Sequence, residues 1–233
     1  MTGAIETVRP VIVAALRPSE YTAALVQALQ ADPDRIRGAR VLEIGSGSGI
    51  VLAALGTMGA AALCGVDIEP DAVAAGQRLL DDLDLGAQVE LYRGDMWLPV
   101  ANRRFDLIVA NLPHFPMKPV PVAGRLPTWS SGGGDGRWLL DPFLEGLPVH
   151  LAPGGRAMLT HNAFVGLDQS RAIARSHGLS FRVALTVLVC IAEEKLARMT
   201  PAVLRAEEGR SLHRYGPHTF GEMHVVEIGA APR

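Results

Sequence analysis

Residues 41–50 read VLEIGSGSGI, and the architecture of the whole chain turns on how those ten residues fold. Val41, Leu42 and Ile44 make a short apolar strand with an acid, Glu43, set near its end. Gly45, Gly47 and Gly49 follow, with Ser46 and Ser48 between them, and a helical pattern starts at the last glycine. Glycines at a strand-to-helix turn let the backbone approach a ligand closely, and the helix amino end offers it unpaired N–H groups. Roughly 20 residues after the first glycine, the next apolar strand ends in Asp67, within CGVDIEP. A carboxylate there is placed to take both hydroxyls of a ribose.

Two cofactors and a purely structural turn compete for this loop. A dinucleotide site wants G-x-G-x-x-G, with the helix amino end aimed at a pyrophosphate. Here the spacing is G-x-G-x-G and Glu43 stands beside it, which suits a ligand with an ammonium group and no phosphate. S-adenosylmethionine (SAM) has a ribose, an adenine and an amino-acid tail, and the pattern favours it. Glu43, Gly45, Ser46, Gly47, Gly49 and Asp67 are the candidate contacts.

Outward from the loop, strands and helices alternate. Apolar strands are expected at 39–44, 61–66, 87–92, 105–110, 155–160 and 181–191, with helices at 49–58, 70–84, 136–150 and 166–177. Such alternation implies an α/β fold of parallel strands with right-handed crossovers and helices on both faces of the sheet. Tyr21, Leu25, Val26 and Leu29 recur at helical spacing before Asp32-Pro33, so residues 1–37 are expected to form a helical lid segment. Residues 38–233 then form one domain, with an insertion at about 192–221 before an antiparallel last strand, HVVEIGA. The long loop 111–135, rich in Pro and Gly at a strand's carboxyl end, is of a kind that carries function.

Composition sets the outer bounds. The 233 residues are 48% hydrophobic with a net charge of -2. No apolar run approaches the roughly 18 residues of a membrane helix, and MTGAIETVRP lacks a signal peptide's features, so no membrane association and a cytoplasmic location are expected. Cys64 and Cys190 sit in apolar stretches as reduced thiols, with no CxxC spacing and no metal expected. The weak charge balance argues against nucleic acid as a partner.

The fourth strand ends unusually, in FDLIVANLPHFPMK (105–118). A carboxamide, Asn111, terminates a core strand, and Pro113 fixes the direction of the Leu112 and Asn111 carbonyls. Together with the glycine loop, these features resemble a class I SAM-dependent methyltransferase, a Rossmann-like fold with a mostly parallel seven-stranded sheet and an antiparallel last strand. The resemblance implies that Glu43 and the glycine loop hold the methionine tail and Asp67 the ribose. It makes Asp95, in RGDMW, the adenine contact between the apolar walls Ile68 and Met96; a turn cap is the alternative for Asp95. Asn111-Leu112-Pro113-His114 is similar to the Asn-Pro-Pro-Tyr that binds planar nitrogen acceptors, and Asn111 also borders the cofactor. LRPSEYTAALVQAL, TWSSGGGDGRWLLDPFL (128–144) and LAPGGRAMLT resemble the HemK-type protein glutamine methyltransferases over roughly residues 16–180.

Two departures stand out, Leu112 for a proline and His114 for the aromatic ring. They shift the expected acceptor to nitrogen or oxygen of a small metabolite, with S-adenosylhomocysteine as product. Alternatives are a protein glutamine N-methyltransferase, a nucleic-acid base N-methyltransferase, and a non-catalytic SAM-binding regulatory subunit. A protein partner and an oligomer are left open. Asn111 and His114 are the candidate catalytic residues; His114 either stacks on the acceptor or takes its proton. Tyr21, Leu112, Pro113 and His161 are candidate substrate contacts, with Tyr21 facing core or cofactor and His161-Asn162 capping the next helix as the alternative.

Overall fold

The computed structural model describes residues 18–119 and 130–230. The chain enters on helix α1 (Glu20–Gln30), and the Asp32-Pro33 stop yields only a short 3-10 turn, Pro33–Arg35. Residues 1–17 of the expected lid lie outside the described residues. Alternating units follow: β1 (Arg40–Ile44), α2 (Ile50–Thr57), β2 (Ala62–Asp67), α3 (Pro70–Asp82), β3 (Val89–Arg93) and β4 (Phe105–Ala110). Past the long loop come α4 (Leu140–His150), β5 (Leu151–Asn162), α5 (Leu167–Ser176) and β6 (Leu179–Ile191). The insertion contributes α6 (Glu193–Leu196), α7 (Pro201–Glu207) and β7 (Leu212–Tyr215) before β8 (His218–Ala230) closes the sheet.

The strand order is β3-β2-β1-β4-β5-β8-β6, with β7 paired to β8. β1 to β5 pair in parallel, whereas β8 runs antiparallel to β5, β6 and β7. The antiparallel last strand therefore lies between β5 and β6. One edge of β8 is covered by β6; on the other, β5 pairs residues 223–229 and β7 pairs residues 218–221. That small hairpin, turning at Gly216 with φ +60°, is an eighth strand that the polar sequence SLHRYGPH does not announce.

The central strands are buried on both faces, so they read as unbroken apolar runs. Leu107, Ile108, Val109 and Ala110 are fully inaccessible. On one face Leu42, Ile44 and Ile108 pack with Phe143, Leu144 and Leu147 of α4. On the other, Val41, Leu107 and Val109 pack with Leu25 and Leu29 of α1 and Leu52 and Leu55 of α2. Cutting one such leucine to alanine costs roughly 2–5 kcal/mol. This rigid double-sided core holds the carboxyl ends of β1, β2, β4 and β5 at one end of the sheet, where ligands bind in open α/β folds.

Candidate active site

The glycine turn takes the shape that its residues permit. Gly45, Gly47 and Gly49 all have positive φ, at 72°, 51° and 77°. A Cβ at Gly49 would stand 3.0 Å from the Gly76 Cα, so α2 and α3 meet there only because neither position carries a side chain. Asp67 locks the turn from the next strand: one carboxylate oxygen accepts the Gly47 N–H at 2.8 Å and the other the Glu69 N–H at 2.9 Å.

In front of this turn lies a cleft of about 760 Å³ whose wall includes Glu43, Gly45, Ser46, Gly47, Asp67 and Asn111. Glu43 is 2% exposed. It accepts the Leu52 N–H from the first turn of α2, while Oε2 has no partner. Burial, then the nearby Asp67, hold its carboxyl well above the usual range. A buried acid with a spare oxygen beside a second acid is a site for a cation, and an ammonium group fits it. Further along, the cleft is walled by Ile68, left 49% exposed, by half-buried Met96, and by exposed Asp95. Two apolar side chains facing an open cavity next to an acid suit a flat heterocycle. The candidate cofactor residues are thus gathered on one wall, Gly49 sitting just behind it at the head of α2.

The acceptor side is built differently. Asn111 lies at the tip of β4, and its Oδ1 accepts the Thr160 hydroxyl at 2.8 Å while Nδ2 donates to Thr22 Oγ1 at 3.4 Å. His114 is buried; Nδ1 pairs with the Leu112 carbonyl at 2.5 Å and Nε2 accepts the Asn162 N–H at 3.0 Å. Burial lowers its pKa to about 4. With both ring nitrogens committed, His114 has no lone pair for an acceptor's proton, so of its two expected roles the geometry favours the flat wall. Tyr21 does line the cleft: its ring meets His114 edge-on at 5.9 Å, its hydroxyl donates to Asn162 Oδ1 at 2.6 Å, and burial raises its pKa. Leu112 and Pro113 also line the cleft.

His161 is a correction. It is fully buried, off the cleft wall, with Nδ1 on the Asn162 carbonyl and Nε2 on Ser170 Oγ at 2.8 Å. Burial takes its pKa down to about 3. Ser170 in turn accepts from Arg137, whose guanidinium also binds Asp141 and the Val165 and Gly166 carbonyls. His161 belongs to this internal network, because the β5 pleat turns it away from Asn111 while bringing Thr160 towards it.

Thr22, Thr160 and Lys195 were not foreseen. Thr160 was reachable: β4 and β5 pair Ala110 with Leu159, so the next residues along, Asn111 and Thr160, are neighbours. Lys195 comes from the insertion. Its ammonium sits 3.9 Å over the Phe115 ring at the cleft, and burial lowers its pKa. The insertion is pinned to the acceptor loop by Thr200, whose N–H meets the Pro116 carbonyl at 2.7 Å and whose hydroxyl meets the Gly134 carbonyl at 2.6 Å.

Comparison with known proteins places these features. A family described as a methyltransferase domain matches residues 41–125. Human methyltransferase HEMK2 is 33% identical over 178 residues, 72% of this chain and 81% of that protein. The release factor glutamine methyltransferase of Cereibacter sphaeroides is 32% identical, covering 68% of this chain and 56% of the relative. This chain spans about half the length of several bacterial release-factor enzymes it matches. Among solved structures, the 16S rRNA N2 G1207 methyltransferase of Thermus thermophilus, in complex with AdoMet and guanosine, superposes with a TM-score of 0.59. It is 21% identical and covers 94% of this chain and 45% of that one, a likeness of fold. The relatives named for protein glutamine, among them the release factor enzymes and a putative protein N5-glutamine methyltransferase, overturn the expected small-metabolite acceptor, so the changes at Leu112 and His114 do not by themselves mark a different acceptor class.

Proposed function

The chain belongs to the class I SAM-dependent methyltransferases of HemK type, and on that premise we propose that it methylates the side-chain amide nitrogen of a glutamine in a protein. The observation that carries this is Asn111, a carboxamide held at a strand tip over the cofactor cleft and flanked by Tyr21 and His114. SAM supplies a methyl group on a positively charged sulfur. Glu43 and the glycine turn would hold its amino-acid tail, Asp67 its ribose, and Asp95 with Ile68 and Met96 its adenine.

An amide nitrogen is a weak nucleophile because its lone pair is shared with the carbonyl. The protein's task is therefore to aim it. Oδ1 of Asn111 would accept one N–H of the glutamine amide, and the edge-on pair of Tyr21 and His114 would wall the space beside it. Held this way, the amide nitrogen would have its lone pair free to face the methyl donor. Alignment of this kind is worth several orders of magnitude in rate. As the N–C bond forms and the C–S bond breaks, the nitrogen becomes a strong acid and loses a proton to water without a dedicated base. That agrees with a His114 whose nitrogens are both occupied.

The relatives named for release factors make a translation release factor the first substrate to test. Purified enzyme, methyl-labelled SAM and the release factor of the same cells are incubated, and the product is mapped by peptide mass spectrometry. One methyl on a glutamine is expected, lost when that glutamine is replaced by alanine. Label recovered only in small molecules or RNA sinks the reading.

A further inference from the structure

The carboxamide on which the proposed reaction depends has two ends that differ in everything that matters. Its oxygen can accept an N–H from an acceptor amide; its NH₂ group would confront that N–H with another donor. A half-turn about the last side-chain bond exchanges them at little steric cost, because the two ends are nearly the same size. Something in the fold must choose.

We propose that Thr160 is the positioning residue that holds the carboxamide in this orientation, its oxygen against β5, building on the proposed glutamine reaction. Thr160 is buried in β5 at 1% exposure, and its hydroxyl lies 2.8 Å from Asn111 Oδ1. On the opposite side, Thr22 Oγ1 already accepts the Ser19 N–H at 3.3 Å and takes the Asn111 Nδ2–H at 3.4 Å. The two threonines thus bracket the carboxamide, one donating to its oxygen and one accepting from its nitrogen. The shorter contact is the one from Thr160, and the sheet holds it: β4 and β5 are fixed in register through Ala110 and Leu159. Thr22, in contrast, rides on α1. An amide oxygen has two lone pairs; Thr160 takes one and leaves the other to the acceptor nitrogen. Removing the hydroxyl leaves every apolar contact in place but frees the carboxamide to turn.

Thr160→Val tests this with nearly unchanged volume, and Thr160→Ser is the control that restores the donor. In turnover with the release factor, Thr160→Val should lower kcat by about 10- to 100-fold, the order expected for a misaimed reacting group. SAM affinity by calorimetry and the KM for the protein substrate should stay within about twofold, and Thr160→Ser should recover most of the rate. In an Asn111→Ala background the Val substitution should add nothing. A second arm needs no substrate. The Asn111 side-chain amide, assigned by its loss in Asn111→Ala, is followed by ¹⁵N relaxation in the wild type and both Thr160 variants. It should be rigid with Thr or Ser and mobile with Val. If the amide stays rigid in Thr160→Val, or if Val acts equally in the Asn111→Ala background, Thr160 does not position Asn111. Should the wild type transfer no methyl to a release factor, the glutamine reading fails, while the relaxation arm still decides Thr160.

Discussion

The two walls of the cleft solve the same problem by opposite means. The cofactor wall is made of neighbours: Asp67 fixes Gly47, 20 residues before it, and the Glu69 N–H two residues after it. Its turn glycines, all at positive φ, shape a loop whose N–H groups are taken up close by, Gly45 and Ser46 by the Val66 carbonyl, Gly47 by Asp67 and Gly49 by the Ser46 carbonyl. The acceptor wall is made of strangers. Thr22 and Asn111 are 89 residues apart, Tyr21 and Asn162 141, Asn111 and Thr160 49, His114 and Asn162 48. Its bonds run through side chains; those of Thr22 and Tyr21 depend on α1 being docked, and those of Thr160 and His114 on the completed sheet. The cofactor wall needs one shape for one ligand, so a short local motif suffices. The acceptor wall must aim one atom, and aim is a property of the assembled fold.

Asn111→Ala should separate the walls most sharply. If Asn111 serves the acceptor alone, methyl transfer should fall by about 10²–10³-fold, the usual loss for an oriented polar group at a reacting centre. SAM affinity should stay within about twofold, since Glu43, Asp67 and the glycine turn are untouched. Parallel losses in both would show that the walls are not independent and that Asn111 chiefly serves the cofactor.

That division also explains what could be read from the chain. VLEIGSGSGI and CGVDIEP carry their geometry with them: strand, turn and acid lie close in sequence, and glycine has few other reasons to recur there. The parallel core and the antiparallel last strand were legible because fully buried strands are written as apolar runs. β7 was not, since its hairpin is polar and is held by β8. Thr160 and Thr22 carried no signal as isolated threonines; only the pairing of β4 with β5 makes the first meaningful. His161 misled because a polar residue at a strand's carboxyl end looks like a ligand contact, while the pleat decides which of two adjacent residues reaches Asn111. His114 likewise looks like a base in sequence, whereas its burial and both its partners are tertiary facts.

On the cofactor wall, Glu43 offers an intermediate effect. Its carboxyl is held well above the usual range in the free protein by burial and by Asp67. An ammonium placed against it favours the carboxylate, so binding should drive the proton off. SAM affinity should therefore rise with pH as long as free Glu43 is still protonated, by at most about tenfold per pH unit for one proton. Calorimetry in buffers of different ionisation enthalpy should detect up to one proton released per SAM bound. Glu43→Gln should bind more weakly and lose that release. A wild-type protein that binds SAM with no proton release would remove Glu43 from the ammonium site.

The smallest expected effect is on the acceptor wall, at His114, and its smallness is the point. A general base would give a rate that climbs with pH through its pKa. His114 Nδ1–H donates to the Leu112 carbonyl and Nε2 accepts the Asn162 N–H, so the neutral ring has nothing left to accept with. Single-turnover transfer at saturating SAM should accordingly be flat from about pH 6 to 8.5, a window well clear of the ring's pKa of about 4. His114→Gln, which keeps a donor and an acceptor, should lose only a few-fold in rate with the same flat profile. The histidine should show instead in stability. Its pKa is about 4 when folded against 6.5 ordinarily, so below pH 6.5 the unfolded chain takes up a proton that the fold refuses. Stability should fall with acid from about pH 6.5 towards 4, by up to ~1.4 kcal/mol per unit, and His161, at about 3, adds the same slope over a longer range. Denaturant melts across that range should lose the His114 share of the slope in His114→Gln. His114→Phe should fare worse at every pH, since it leaves the buried Asn162 N–H without an acceptor at a cost of about 1–3 kcal/mol. A transfer rate that rises through pH 6–7 in the wild type and flattens in His114→Gln would restore the base and undo the contrast between a wall that binds and a wall that aims.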